Sequence, residues 1–176
     1  MTRSANARFA GVSFLLYIVA GIASLRLAGH PPLGPVLPIL TSLCALTLGV
    51  TLYAMTREQD PDIALLGLVC RVVEAIPGQE GVPAIFFAVG STAFAWLLWR
   101  GRIIPAALAG LGVFASLFLV VVLLLQRAEL FGGAGGWASP LTWLLWLPML
   151  VFELTLAGWL LVKGAALPAA RASGPP

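Results

Sequence analysis

"FAGVSFLLYIVAGIASL", residues 9–25, runs for 17 residues without a charge. A bilayer's hydrocarbon core is about 30 Å thick and takes roughly 20 apolar residues to cross as a helix. The stretch comes close to that length. It also exceeds the apolar region of a cleaved leader, which is about 7–15 residues. Gly21–Ile22–Ala23 has the small-x-small look of a cleavage site, but more apolar runs of the same kind follow. The segment reads as a retained first membrane helix.

Composition agrees. The chain has 176 residues, of which 60% are hydrophobic and only 10% charged. Soluble domains carry about 25% charged residues. So few charges cannot cover a water-facing surface, and the outer surface must face lipid. The length then holds six crossings joined by short loops and no separate soluble domain. The net charge of +3 comes from scattered Arg and Lys residues. No basic run exists, so nucleic acid is not an expected partner; the lipid bilayer is. Cys44 and Cys70 both lie inside apolar runs and read as small buried side chains.

Moving outward from the first run, "LAGHPPLGP" at residues 27–35 has the prolines and glycines of a turn. A second helix is expected over 36–55, followed by "TREQDPD", the most charged stretch in the chain. A third runs over 62–76, with Asp62 suited to its N-terminus. At 1.5 Å per residue it covers only about 22 Å, short of the core thickness. "PGQEG" ends it. Further helices are expected over 82–99, 104–125 and 141–162. Pro105 suits the first turn of the fifth, and Pro148 is expected to kink the sixth. "FGGAGGWASP" reads as a flexible loop by its glycines. Residues 1–166 form one six-helix transmembrane domain, and 167–176 a disordered cytoplasmic tail. No internal repeat stands out.

Lys and Arg favour cytoplasmic loops. With the N-terminus inside, Arg3, Arg8, Arg57, Arg100, Arg102, Lys163 and Arg171 all fall on that side, against Arg26 and Arg127 opposite. The expected fold is therefore all-α and polytopic, with six transmembrane helices and both termini in the cytoplasm of a cell membrane. Tyr53, Trp96, Trp99 and Trp159 then fall near the inner interface, and Trp137, Trp143 and Trp146 near the outer one.

Three charges break the apolar pattern. Arg71 and Glu74 sit three apart in "GLVCRVVEAIPG", on one helix face, and can pair. Glu153 sits mid-run in "LVFELTLAG". Counted from the cytoplasmic ends, Arg71 lies at a depth of about 13 Å, Glu153 at about 15 Å and Glu74 at about 18 Å. If the third and sixth helices touch, the planar fork of Arg71 can bridge both carboxylates. One guanidinium with two carboxylates leaves a surplus negative charge, which a proton can neutralise. Ionisable residues within membranes are functional candidates by default. Two readings stand: a cluster that pins the bundle, with a regulatory or partner-binding role, or a proton-coupled or small-solute carrier that uses the buried carboxylates.

Other features carry less. His30 is a lone histidine beside prolines. Arg26, at the far end of the first helix, either snorkels to the headgroups or faces the cluster as an accessory group. Ala106, Gly110, Gly112 and Ser116 are small residues at four-residue spacings, suited to close helix packing within the chain or in a homo-oligomer. There is no P-loop, HExxH or GxSxG motif. An intramembrane enzyme would need a nucleophile or metal beside the acids, and the sequence offers neither catalytic, metal nor cofactor residues.

"ARFAGVSFLLYIVAGI", "CRVVEA", "LLWRGRIIP" and "FELTLAGWLLVKG" resemble the bacterial integral membrane family catalogued as domain of unknown function 4386. Glu153, Trp159, Lys163 and Gly164 carry the most specific part of the resemblance, and Arg71 with Glu74 the next. The stretch between residues 74 and 86 is shorter than is usual there. The resemblance implies a multi-span protein of the cell membrane and no particular activity.

Overall fold

The computed structural model describes residues 3–76, 81–130 and 139–165, and in them six α-helices. They are α1 (Arg3–Leu27), α2 (Leu33–Thr56), α3 (Pro61–Glu74), α4 (Val82–Arg100), α5 (Ala106–Arg127) and α6 (Pro140–Val162). Each helix packs on the next in sequence, and α6 closes back on α1. The result is a ring in chain order. Leu48, Leu52, Phe94, Leu119, Phe152 and Leu156 are among its buried core.

Five helices are long and apolar enough to cross a membrane: α1 (counted from Ala5), α2, α4, α5 and α6. The chain is thus of the multi-pass membrane class. The exception is α3, whose 14 residues amount to about 21 Å. Its short start is well defined. Asp60 caps it, accepting a hydrogen bond from the Ile63 N–H at 3.2 Å, and Pro61 takes the first helical position. Asp62, expected to suit this N-terminus, sits in the first turn. Leu65, Leu66, Val69 and Val72 leave the outward face of α3 apolar and exposed.

Helix ends differ from the sequence reading chiefly around the prolines. α2 begins at Leu33 and takes in Gly34, Pro35 and Pro38, so the turn is shorter than residues 27–35. α6 runs as one helix through Pro148. The expected PGQEG break, the glycine-rich loop with Trp137 and the 167–176 tail lie wholly or mostly outside the described residues.

Two glycines let α3 sit close to its neighbours. A Cβ on Gly49 of α2 would lie 2.8 Å from the Cβ of Arg71, and one on Gly90 of α4 would lie 2.8 Å from the Cβ of Cys70. α2 and α4 also touch each other, so α3 lies along the groove between them and presents Arg71 inward. Gly90→Leu is expected to push α3 outward at a cost of about 1–3 kcal/mol, read as a lowered Tm in detergent. The Gly112 position is equally tight, against the Phe152 ring of α6, and Ser116 donates to the Gly112 carbonyl at 2.6 Å. Those two small residues serve packing within the chain, whereas a Cβ on Gly110 would meet nothing nearby.

Candidate functional site

Arg71 is the largest fully buried side chain, with 1% of its surface exposed. A charge so placed is costly unless every donor is used. Its Nη1 donates to Glu74 Oε2 at 2.9 Å, one turn along α3. Its Nη2 donates to Ser91 Oγ on α4 at 3.1 Å. The guanidinium carbon lies 4.8 Å from the Phe87 ring centroid and 6.0 Å from that of Tyr17. Contacts at these distances add cation–π attraction.

Glu74 is equally well held. Its second oxygen, Oε1, accepts from the Tyr17 hydroxyl of α1 at 2.6 Å. One strong donor therefore serves each carboxylate oxygen, and the Arg71–Glu74 couple is internally neutral. Tyr17→Phe would leave Oε1 without this donor. A loss of about 1–2 kcal/mol is expected, checked by thermal unfolding against Tyr53→Phe as a control.

Glu153 stands apart. It is 4% exposed, and its Oε1 has no hydrogen-bond partner among the described residues; nor has Arg71 Nε. α3 and α6 do not pack directly on each other. The bridge from Arg71 to both carboxylates needed that contact, and the two terminal nitrogens of Arg71 are spent on Glu74 and Ser91 instead. Arg71 and Glu153 do line a common small void of about 10 Å³, walled by Phe14, Leu52, Phe94 and Leu156.

Above that void lies a much larger cavity of about 470 Å³, within the range of small-molecule sites, about 300–1,000 Å³. Tyr17, Gly21 and Ser24 line it from α1, and Pro38, Thr41 and Ser42 from α2. Trp143, Trp146 and Glu153 line it from α6. Glu74, Phe87 and Pro83 complete it from α3 and α4. Apart from Glu153, which lies midway along α6, these positions are the C-terminal parts of α1 and α3 and the N-terminal parts of α2, α4 and α6. In a ring of successive antiparallel helices, all of them fall toward one end. α3 ends at Glu74, and Ile76 just beyond it also lines the cavity.

Aromatic rings organise one wall. Tyr17 and Phe87 stack at 6.2 Å between centroids, and Phe87 and Trp146 at 5.6 Å. Trp143 and Trp146, expected at an interface, line the cavity. Arg26 is exposed and is not part of the cavity lining, and His30 is exposed in the turn after α1. Cys44 and Cys70 are buried free thiols. Among the described residues no group of three His, Cys, Asp or Glu side chains could hold a metal ion.

The sequence reading missed Tyr17 and Ser91. Tyr17 carried a usable signal: a phenol in the middle of an apolar run, too deep for an interfacial anchor. Ser91 carried none, since serine is common in membrane helices.

Residues 79–164 match the family described as Domain of unknown function (DUF4386). The match is just under half of the chain and spans α4, α5 and α6 with Glu153, Trp159, Lys163 and Gly164; Arg71 and Glu74 lie outside it. No curated protein and no solved structure matches the chain.

Proposed function

We propose that the protein is a small-solute carrier of the cell membrane, in which the large cavity admits the solute and Glu153 is its polar anchor. One observation carries this reading: the cavity of about 470 Å³ reaches a buried carboxylate whose Oε1 has no partner. A carboxylate that only pinned helices together would be expected to bond to a neighbouring helix and leave no space beside it. Glu74 fits the pinning role, since Tyr17 donates to it and its partner Arg71 donates to Ser91, which ties α1, α3 and α4 together. Glu153 does not.

In this proposal all six helices belong to the membrane domain, with α3 seated at partial depth by its apolar outer face. The Lys and Arg bias puts both termini in the cytoplasm. The cavity then opens toward the opposite side, where α1 meets α2 and α5 meets α6. Binding from one face is one half of an alternating-access cycle, and proton exchange at Glu153 would couple it to the membrane gradient.

A size-graded panel of labelled small solutes, offered to vesicles containing the protein, tests the proposal. The wild type should accumulate at least one of them in a pH-dependent manner, and Glu153→Gln should not, at equal protein content. If Glu153→Gln instead destabilised the fold as much as removal of Arg71, the pinning role with a regulatory or partner-binding function would replace the carrier.

A further inference from the structure

Among the described residues, the only ionisable groups in the cavity lining are Tyr17, Glu74 and Glu153. No described Lys, Arg or His lines it. Arg71 sits behind the Phe87 and Tyr17 rings, with both terminal nitrogens engaged. Glu74 is balanced by Arg71 at 2.9 Å and by the Tyr17 hydroxyl. That leaves one carboxylate, Glu153, buried without a cation of its own, at the end of a chamber whose remaining lining is mainly apolar, with the neutral hydroxyl residues Ser24, Thr41 and Ser42. Tyr17, Phe87, Trp143 and Trp146 add the electron-rich rings that attract cations.

From this arrangement we infer that the cavity takes an organic monocation, with an ammonium group against Glu153 and an apolar body along the aromatic wall. The inference rests on the carrier reading and names its ligand class. An anion would meet two carboxylates and no free donor cation. A bare metal ion would find a single unpaired carboxylate, too few ligands to replace its water. A neutral apolar molecule would leave Glu153 uncompensated. An ammonium group with a hydrocarbon or aryl body satisfies the carboxylate and fills the chamber. Its source is a free amphipathic amine or the headgroup of an aminolipid, which share this chemistry.

Protons compete for the same carboxylate. Glu153 faces Arg71 and Glu74 from α3 and Tyr17 from α1. α5, which also packs on α6, carries only Arg127 as an ionisable group, at its C-terminal end. Binding of a cation to the protonated acid must expel the proton to the cavity mouth. Affinity for the cation therefore rises with pH and levels off once Glu153 is fully ionised.

The test uses the full chain in nanodiscs of phosphatidylglycerol, with 2-phenylethylammonium and its neutral counterpart 2-phenylethanol as probes in calorimetry. The ammonium should bind at least tenfold more tightly than the alcohol, and more tightly at higher pH. Glu153→Gln should erase both the preference and the pH dependence while keeping Tm within a few degrees. Added phosphatidylethanolamine that displaces the ammonium assigns the natural ligand to a lipid headgroup; no displacement assigns it to a free solute. Either outcome supports the inference. Equal binding of the two probes, or no binding of the ammonium, overturns it.

A second measurement separates this failure from failure of the carrier reading. Ser42→Cys places a thiol in the cavity lining, and the wild type, with both its cysteines buried, is the blank. Trimethylammonioethyl methanethiosulfonate should modify this thiol at least tenfold faster than the sulfonatoethyl reagent, each rate taken relative to a free thiol. Equal relative rates overturn the cation inference and leave an accessible chamber. No reaction with either reagent overturns both readings.

Discussion

Arg71→Ala should be the most damaging single change in the protein, lowering stability by about 3–5 kcal/mol, the range for breaking a buried ion pair. The substitution leaves Glu74 against the Tyr17 hydroxyl alone, with Glu153 lining the same cavity and no other buried cation beside them among the described residues. Ser91 loses its donor and the Phe87 ring loses its cation. Thermal unfolding in mild detergent, or the yield of monodisperse protein, would register the loss. Arg71→Ala with Glu74→Gln should recover a large part of it, because the acid stranded by the first change is then neutral. Arg71→Lys should recover much less. A single ammonium cannot reproduce the fork that reaches Glu74 and Ser91 at once. If Arg71→Ala were as stable as the wild type, the polar tie between α1, α3 and α4 would have no structural role.

Glu153→Gln should do the reverse. Its Oε1 makes no hydrogen bond in the fold, so the amide replaces a group that contributes little to packing order. A change in stability of less than about 1 kcal/mol is expected, since neutralising an unpaired buried acid removes a cost. Function should suffer instead. Solute uptake should fall at least tenfold and lose its dependence on pH. The direction of that dependence follows from competition: acid fills Glu153 with a proton, so uptake from the acidic side is weak and grows as the pH rises. Glu153→Asp keeps the charge but shortens the reach by one methylene, and should retain the pH profile with weaker binding. Together, Arg71→Ala and Glu153→Gln separate the support of the site from its working group.

How much of this was written in the chain differs from residue to residue. The Arg71–Glu74 pair was legible because a spacing of three on a helix fixes proximity without any knowledge of the fold. Counting along helices puts Glu153 near the level of Arg71, and the two do line one small void. Its lateral position was not legible: depth says nothing about which helices are neighbours, and α3 and α6 turn out to be held apart by the ring. Tyr17 was readable in principle, as a phenol in the middle of an apolar run. The cavity itself was not readable, because it depends on which side chains of α1, α2, α3, α4 and α6 the ring brings to face one another. Helix ends at prolines were blurred for a local reason. Pro35 and Pro38 are tolerated inside α2, where they fall early enough that few intrahelical donors are lost.

That same 14-residue helix has a consequence for the surrounding lipid. Its apolar face is about 9 Å shorter than a typical hydrocarbon core, while the helices beside it are full length. With α3 seated in the membrane as proposed, acyl chains next to it must shorten or tilt to match, which dimples the bilayer on that flank. Thin membranes relieve that strain and thick, sterol-stiffened ones increase it. The molecule is thereby sensitive to the thickness of its host membrane along a single edge, the edge that backs onto Arg71.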